Sequence, residues 1–212
     1  LTDYHYRVVA QYLINFDFCS LFSLCVCEMP ILDLLLGMRK DDPVETMRKF
    51  KDALDKLTSG EHCKHAIHAS EKYAQKIKRG LMQVDQNNQK WLDCLCEEAN
   101  FNVLFDAIFK VDSECRRAVT GVLLFLLQSR ENSNIVTILD SSDNYTMRLV
   151  EVYTMRPDLA VSCGPILRLL MSHNSLTSKI VTKDNMITLL NCMSSDAFDA
   201  ASDAFETVRV LH

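Results

Sequence analysis

The chain has 212 residues, of which 48% are hydrophobic, and its net charge at pH 7 is -5. This length can bury a sizeable core, whereas the negative charge argues against a protein that binds nucleic acid through a basic surface. The chain contains only 5 glycines and 4 prolines, and all-β and α/β folds use more of these turn residues, so the composition favours helices.

Amphipathic helical patterns follow one another along the chain. Pro43 opens the first, at residues 44–57, because proline is favoured at the first position of a helix. The other predicted helices are 64–83, 91–99, 101–109, 115–129, 145–153, 157–173, 185–193 and 198–211. No segment has the alternating pattern of paired strands. The sequence therefore predicts an all-α fold.

Two of these segments resemble each other. Residues 157–170 and 198–211, offset by 41 residues, match at several apolar and polar positions, and Arg168 aligns with Arg209. A weaker third copy places Ala118, Val122 and Phe125 at equivalent positions. Spacings of about 40 to 47 residues are typical of armadillo and HEAT repeats. The repeats predict a helical solenoid, and an irregular helical bundle is the alternative.

The last predicted helix, 198–211, has a clear helical wheel. At 100° per residue, one arc carries the residues expected to be buried, which are Ala201, Ala204, Phe205, Val208 and Leu211. The opposite arc carries Asp199, Asp203 and Glu206. Phe198 lies at the rim between them, close to Arg209. It is therefore expected either to contact a partner or to close the edge of the core.

Cysteine usage and hydropathy indicate a reducing, cytoplasmic location without a membrane segment. The nine cysteines are odd in number and irregularly spaced, as expected for free thiols. The apolar stretch at residues 16–27 is interrupted by Asp17 and falls short of the roughly 18 residues that span a bilayer. Gly121 and Gly164 lie inside helical patterns, where close packing of helices is the expected reason.

Few residues suggest a metal-binding, catalytic or nucleic-acid-binding site. His62, Cys63, His65 and His68 form a cluster that would make a metalloprotein the alternative function, but their spacing does not match a zinc finger. No nucleophile motif or phosphate-binding loop occurs, so we expect no enzyme and no cofactor. The basic run at 72–79 is interrupted by apolar residues, which is typical of a solvated helix face rather than a nucleic-acid site.

Four segments carry a family resemblance. The segment AFDAASDAF at 197–205 and the segment PDLAVSCGPILR at 157–168 resemble the calcium-binding protein 39 family of kinase scaffolds. Residues 29–54 and 68–83 are similar to the N-terminal part of that family. Despite the family's name, the chain has no EF-hand loop, so calcium binding is not expected.

The resemblance implies both an architecture and a partner. It implies a right-handed superhelix of armadillo-like or HEAT-like repeats, without enzymatic activity. The concave face would hold a protein kinase or pseudokinase of the germinal-centre or sterile-twenty type and stabilise its active conformation. By motif match, Phe198 belongs to the kinase-facing surface. Arg209, beside Phe198, and Arg168, one repeat earlier, are expected to contribute to the same association through charge.

The resemblance also divides the chain. Residues 29–212 are expected to form the scaffold domain, incomplete at its C-terminus, whereas residues 1–28 are unmatched and suggest a mispredicted gene start. We expect self-association through the apolar side chains that the last helix would leave uncovered. A diverged helical-repeat module that binds another kind of partner is a further alternative.

Overall fold

The structure, a computed structural model, describes residues 41–59, 64–82, 87–128 and 133–211. The predicted extension at 1–28 lies outside these ranges, as do His62 and Cys63 of the predicted metal cluster. The described residues form α-helices, joined at one point by a short 3₁₀-helix at Pro157–Leu159, and no strand occurs among them. The α-helices are α1 Pro43–Thr58, α2 Lys64–Met82, α3 Asn87–Leu95, α4 Glu98–Lys110, α5 Ser113–Gln128, α6 Ser133–Asp140, α7 Asn144–Met155, α8 Ala160–Leu170, α9 Asn174–Ile180, α10 Lys183–Met193 and α11 Phe198–Arg209.

The first helix shows how the local sequence determines an element. Pro43 occupies its first turn, with Glu45 close behind and Lys56 in the last turn. These charges have the signs that the helix dipole favours at each end. The apolar side chains of Met47, Phe50, Leu54 and Leu57 recur at helical spacing and are buried. This face packs mainly against α2.

Each of the helices at every third position along the chain packs against the next helix of that set. Helices α2, α5, α8 and α11 form one stacking series, in which each member contacts its successor. A long helix packs beside each member, because α1 contacts α2, α4 contacts α5, α7 contacts α8 and α10 contacts α11. The short helices α3, α6 and α9 lie between these pairs along the chain. This arrangement confirms the prediction of an all-α helical-repeat fold.

The repeated sequence segments occupy equivalent places in that series. Residues 157–170 contain the 3₁₀-helix and α8, and residues 198–211 contain α11, the next member of the stacking series. The weaker copy with Ala118 and Val122 lies in α5, the member before α8. The offset of 41 residues therefore corresponds to one three-helix repeat.

Helix boundaries differ from the prediction where polar side chains interrupt the chain. The predicted helix at 91–99 is instead divided, since α3 ends at Leu95 and α4 begins at Glu98. The Asn100 side-chain amide donates a hydrogen bond of 2.8 Å to the carbonyl of Cys94, which holds this corner. The short helices α6 and α9 were not predicted, because their apolar patterns cover only two turns or so.

Two glycines mark places where neighbouring helices approach closely. A Cβ atom added at Gly80 would lie 2.2 Å from the Trp91 ring, and one at Gly164 would lie 1.8 Å from a carboxylate oxygen of Asp203. The expectation of close packing is therefore confirmed at Gly164. At Gly121 it is wrong, because the nearest atom to an added Cβ, in Lys78, lies 3.7 Å away at ordinary contact distance.

The five cysteines in the described part of the chain are free thiols. No helix there is long and apolar enough to span a membrane. Burial raises the pKa of the Cys115 thiol to about 12 and that of Cys163 to about 12. At pH 8 both thiols are therefore protonated, whereas the thiolate is the form that reacts with alkylating agents.

We expect Cys115 and Cys163 to resist iodoacetamide at pH 8 in the folded protein and to react once the chain is denatured. Both side chains are buried, so access and deprotonation are limited together. Mass spectrometry of peptides after timed labelling measures each site separately. Labelling of either cysteine at the same rate in folded and denatured protein would contradict this prediction.

Candidate functional site

The exposed side of α11 carries two aromatic residues. The side chain of Phe198 is 82% exposed and that of Phe205 is 52% exposed. They are seven residues apart and therefore lie on one side of the helix, two turns from each other. Ser202 and Arg209 are also exposed on this side. The aromatic face of α11, defined by Phe198 and Phe205, is the candidate binding surface.

The predicted burial of the last helix is wrong for three residues, of which Leu211, expected in the core, is exposed just beyond the end of α11. Phe205 was expected in the core and is exposed, whereas Asp203 was expected on the solvent side and is nearly buried. The residues that α11 does bury are Ala200, Ala204 and Thr207. The physical reason is the position of α8. It packs against the side of α11 that carries Asp203, whose carboxylate lies beside Gly164 of α8.

A polar network of four side chains joins α7, α8 and α11. The Arg168 guanidinium donates to Asp203 Oδ1 and to the Thr207 hydroxyl, each at 2.9 Å. The Tyr153 hydroxyl donates to Asp203 Oδ2 at 2.5 Å. Arg168 and Asp203 keep only 16% and 10% of their side-chain surface exposed. We call these residues the Asp203 network.

The surroundings of Tyr153 keep its hydroxyl protonated. Burial raises the pKa of Tyr153 well above its usual value, and the charge of the neighbouring Asp203 raises it further. The hydroxyl is therefore a fixed donor to the carboxylate. Because both Asp203 oxygens are engaged by donors from other helices, α11 is held in one orientation against α7 and α8.

The two predicted arginines have different surroundings. Arg168 is directed into the Asp203 network, and its charge is neutralised inside the protein. Arg209, its equivalent one repeat later, is 65% exposed and lies 2.6 Å from Glu206 of its own helix. The structure therefore places Phe198 and Arg209 on the same open side of α11, about three turns apart, and Arg168 in the packing beneath.

Sequence reasoning missed the contribution of Asp203, Tyr153 and Thr207 to positioning α11. The available signal was Gly164, which lacks a side chain one turn before Arg168 and so leaves room for a carboxylate between the helices. Recognising it required knowing that α8 and α11 pack against each other.

Replacing Phe205 with alanine should lower the free energy of unfolding by less than about 1 kcal/mol, since an exposed ring loses little contact on truncation. Chemical denaturation followed by circular dichroism measures the change. A loss of about 3 kcal/mol or more, the scale of a core cavity, would show that Phe205 is buried in solution, as the helical wheel predicted.

The metal cluster gains no support from the described residues. His65 and His68 are exposed on α2. No group of three or more histidine, cysteine or acidic side chains in the described ranges is placed to hold a metal ion. The other two members of the predicted cluster, His62 and Cys63, lie outside those ranges.

Comparison with known proteins identifies the family. The family model described as Mo25-like matches residues 35–211. The chain belongs to the Mo25-like family. It is also 27% identical over 195 residues to MO25-like protein 2 of Caenorhabditis elegans, an alignment that covers 85% of this chain. The chain spans 57% of the length of that relative.

Membership of the Mo25-like family confirms the resemblance to the calcium-binding protein 39 family, to which the C. elegans relative also belongs. It supports a scaffold-type protein. The match includes the whole stacking series and therefore the aromatic face of α11. The binding roles of Phe198, Arg168 and Arg209 stay predictions.

Proposed function

We propose that this protein is a noncatalytic, cytoplasmic scaffold that binds a protein kinase or pseudokinase of the germinal-centre or sterile-twenty type and stabilises its active conformation. The aromatic face of α11 is the proposed contact. The observation that carries this proposal is the 82% exposure of Phe198 within the segment AFDAASDAF. A large aromatic ring held in water on an ordered helix is suited to become buried by a partner.

The surroundings of Phe198 support a preorganised contact. It is the first residue of α11, whose orientation is fixed by the Asp203 network. A rigid aromatic anchor loses little conformational entropy when it binds, so more of the contact energy contributes to affinity. Arg209 adds a charged group on the same side, where it can guide association with an acidic surface.

Isothermal titration calorimetry with purified kinase domains tests the proposal. A sterile-twenty kinase or pseudokinase domain is expected to bind the chain and to gain catalytic activity or thermal stability on binding. A kinase domain from an unrelated group serves as the control and is expected not to bind. Equal binding of both, or binding of neither, would contradict the proposed function.

A further inference from the structure

The exposed side of α2 is basic. The helix contains five lysines and arginines but one acidic residue, Glu71. Lys64, Lys72 and Arg79 are exposed and fall within an arc of about 80° on the helix. We call these three residues the basic face of α2. His65 and His68 are exposed on the same side of the helix.

The charges of this face are not neutralised within the described parts of the protein. Helix α2 takes part in one ion pair there, between Lys76 and Asp41 at 2.6 Å. Lys64, Lys72 and Arg79 have no ion-pair partner among the described residues. Several cations in other helices do form ion pairs with carboxylates. These pairs are Arg148–Asp106, Lys179–Asp140, Lys179–Asp143 and Arg48–Glu45.

Such a face attracts an anionic partner because it carries more cations than anions. The chain as a whole has a net charge of -5, whereas α2 carries five cations and one anion. A local excess of one charge steers a complementary segment toward itself and disfavours other orientations.

Apolar side chains beside the charges favour a polypeptide partner. Met82 is exposed on the same side as Lys64, and Ile67 is exposed at its edge. Lys64 and Arg79 are separated by about 22 Å at a rise of 1.5 Å per residue. About seven residues of extended peptide cover that length. A peptide can offer both carboxylates and apolar side chains along it.

We propose that the basic face of α2 binds an acidic polypeptide segment that also carries apolar residues. Carboxylates of the segment pair with Lys64, Lys72 and Arg79, and its apolar side chains contact Met82 and Ile67. This binding is separate from the contact proposed for the aromatic face of α11, and it involves different residues.

Fluorescence anisotropy with a labelled peptide of repeated Glu-Glu-Leu units tests the proposal at low salt. The variant Lys64→Ala, Lys72→Ala, Arg79→Ala should bind this peptide about tenfold or more weakly than the native chain, because the face that steers and holds the acidic peptide is removed.

A matched control removes the same charge elsewhere. Lys51→Ala, Lys90→Ala, Lys183→Ala replaces three exposed lysines on α1, α3 and α10 that have no ion-pair partner within the described ranges. It should weaken peptide binding less than about twofold. An equal loss in both variants would show that net charge alone governs binding, and it would overturn the proposal.

The kind of anion is tested separately. A single-stranded DNA oligonucleotide and vesicles with anionic lipids should compete poorly with the peptide. If either competes as well as unlabelled peptide, the face binds anions generally and the proposal fails. Phe198→Ala should leave peptide affinity unchanged, so failure here and failure of kinase binding are distinguishable.

Cross-linking of the unmodified chain keeps the proposal testable even if the triple variant does not fold. A carbodiimide joins peptide carboxylates to nearby lysines, and mass spectrometry identifies the site. Cross-links at Lys64 or Lys72 are the expected result. Cross-links confined to Lys51, Lys90 or Lys183 would overturn the proposal.

Discussion

Replacing Arg168 with alanine is expected to lower the free energy of unfolding by about 3 to 5 kcal/mol, as removal of one partner from a buried ion pair usually does. The Asp203 carboxylate, 10% exposed, would keep only the hydrogen bond that it accepts from the Tyr153 hydroxyl. Its charge would remain in a poorly solvated place without a cation. Urea denaturation monitored by circular dichroism measures the change.

Arg209→Ala is the matched control, because Arg209 occupies the equivalent position one repeat later. Its ion pair with Glu206 is solvent-exposed, with 65% and 31% of the two side chains accessible. Exposed pairs usually contribute less than about 1 kcal/mol. A loss at Arg168 no larger than that at Arg209 would mean that the Asp203 network does not hold α11 in place.

The loss of stability expected on replacing Arg168 also changes the role of this residue in the proposed function. Sequence alignment placed Arg168 with Arg209 as a group that contacts the partner. In the structure its guanidinium lies between helices and acts on α11 through Asp203 and Thr207. Arg168 is therefore better described as a positioning residue, which keeps the aromatic face of α11 in a fixed orientation.

Much of the fold could be predicted from sequence because local patterns determine it. The apolar spacing in α1 and the proline at its start specify a helix without reference to the rest of the chain. The offset of 41 residues between the segments that contain α8 and α11 reflects a repeated packing unit, so it predicted the helical-repeat architecture.

Burial on α11 could not be predicted in the same way. A helical wheel separates apolar from polar side chains, but it does not show which neighbour covers which side. Asp203 is acidic yet nearly buried, since Arg168 and Tyr153 from two other helices supply its donors. Phe205 is apolar yet half exposed. The burial of Asp203 depends on contacts with residues more than 30 positions away along the chain.

The sequence left Phe198 either as a contact with a partner or as the edge of the core, and the structure exposes its ring on the side opposite the residues that α11 buries. Replacing Phe198 with alanine should weaken kinase or pseudokinase binding by about 2 kcal/mol, or roughly 30-fold, which is the scale of an aromatic hot spot. Stability should hardly change, because the ring is 82% exposed and has few contacts to lose. Calorimetric titration and thermal denaturation of the same preparations measure the two effects separately.

Phe105→Ala is the control for Phe198→Ala, because it truncates a buried phenylalanine instead of an exposed one. Phe105 is buried on α4 and packs against Tyr145 with ring centroids 5.1 Å apart. Its removal should cost about 3 to 5 kcal/mol of stability and should reduce binding only in proportion to the unfolded fraction. If Phe198→Ala instead destabilises the chain as much as Phe105→Ala does, Phe198 closes the core edge. If the Phe198→Ala variant is stable and binds the kinase with unchanged affinity, Phe198 is not part of the contact surface. An exposed ring that a partner buries cannot be truncated without loss of that contact.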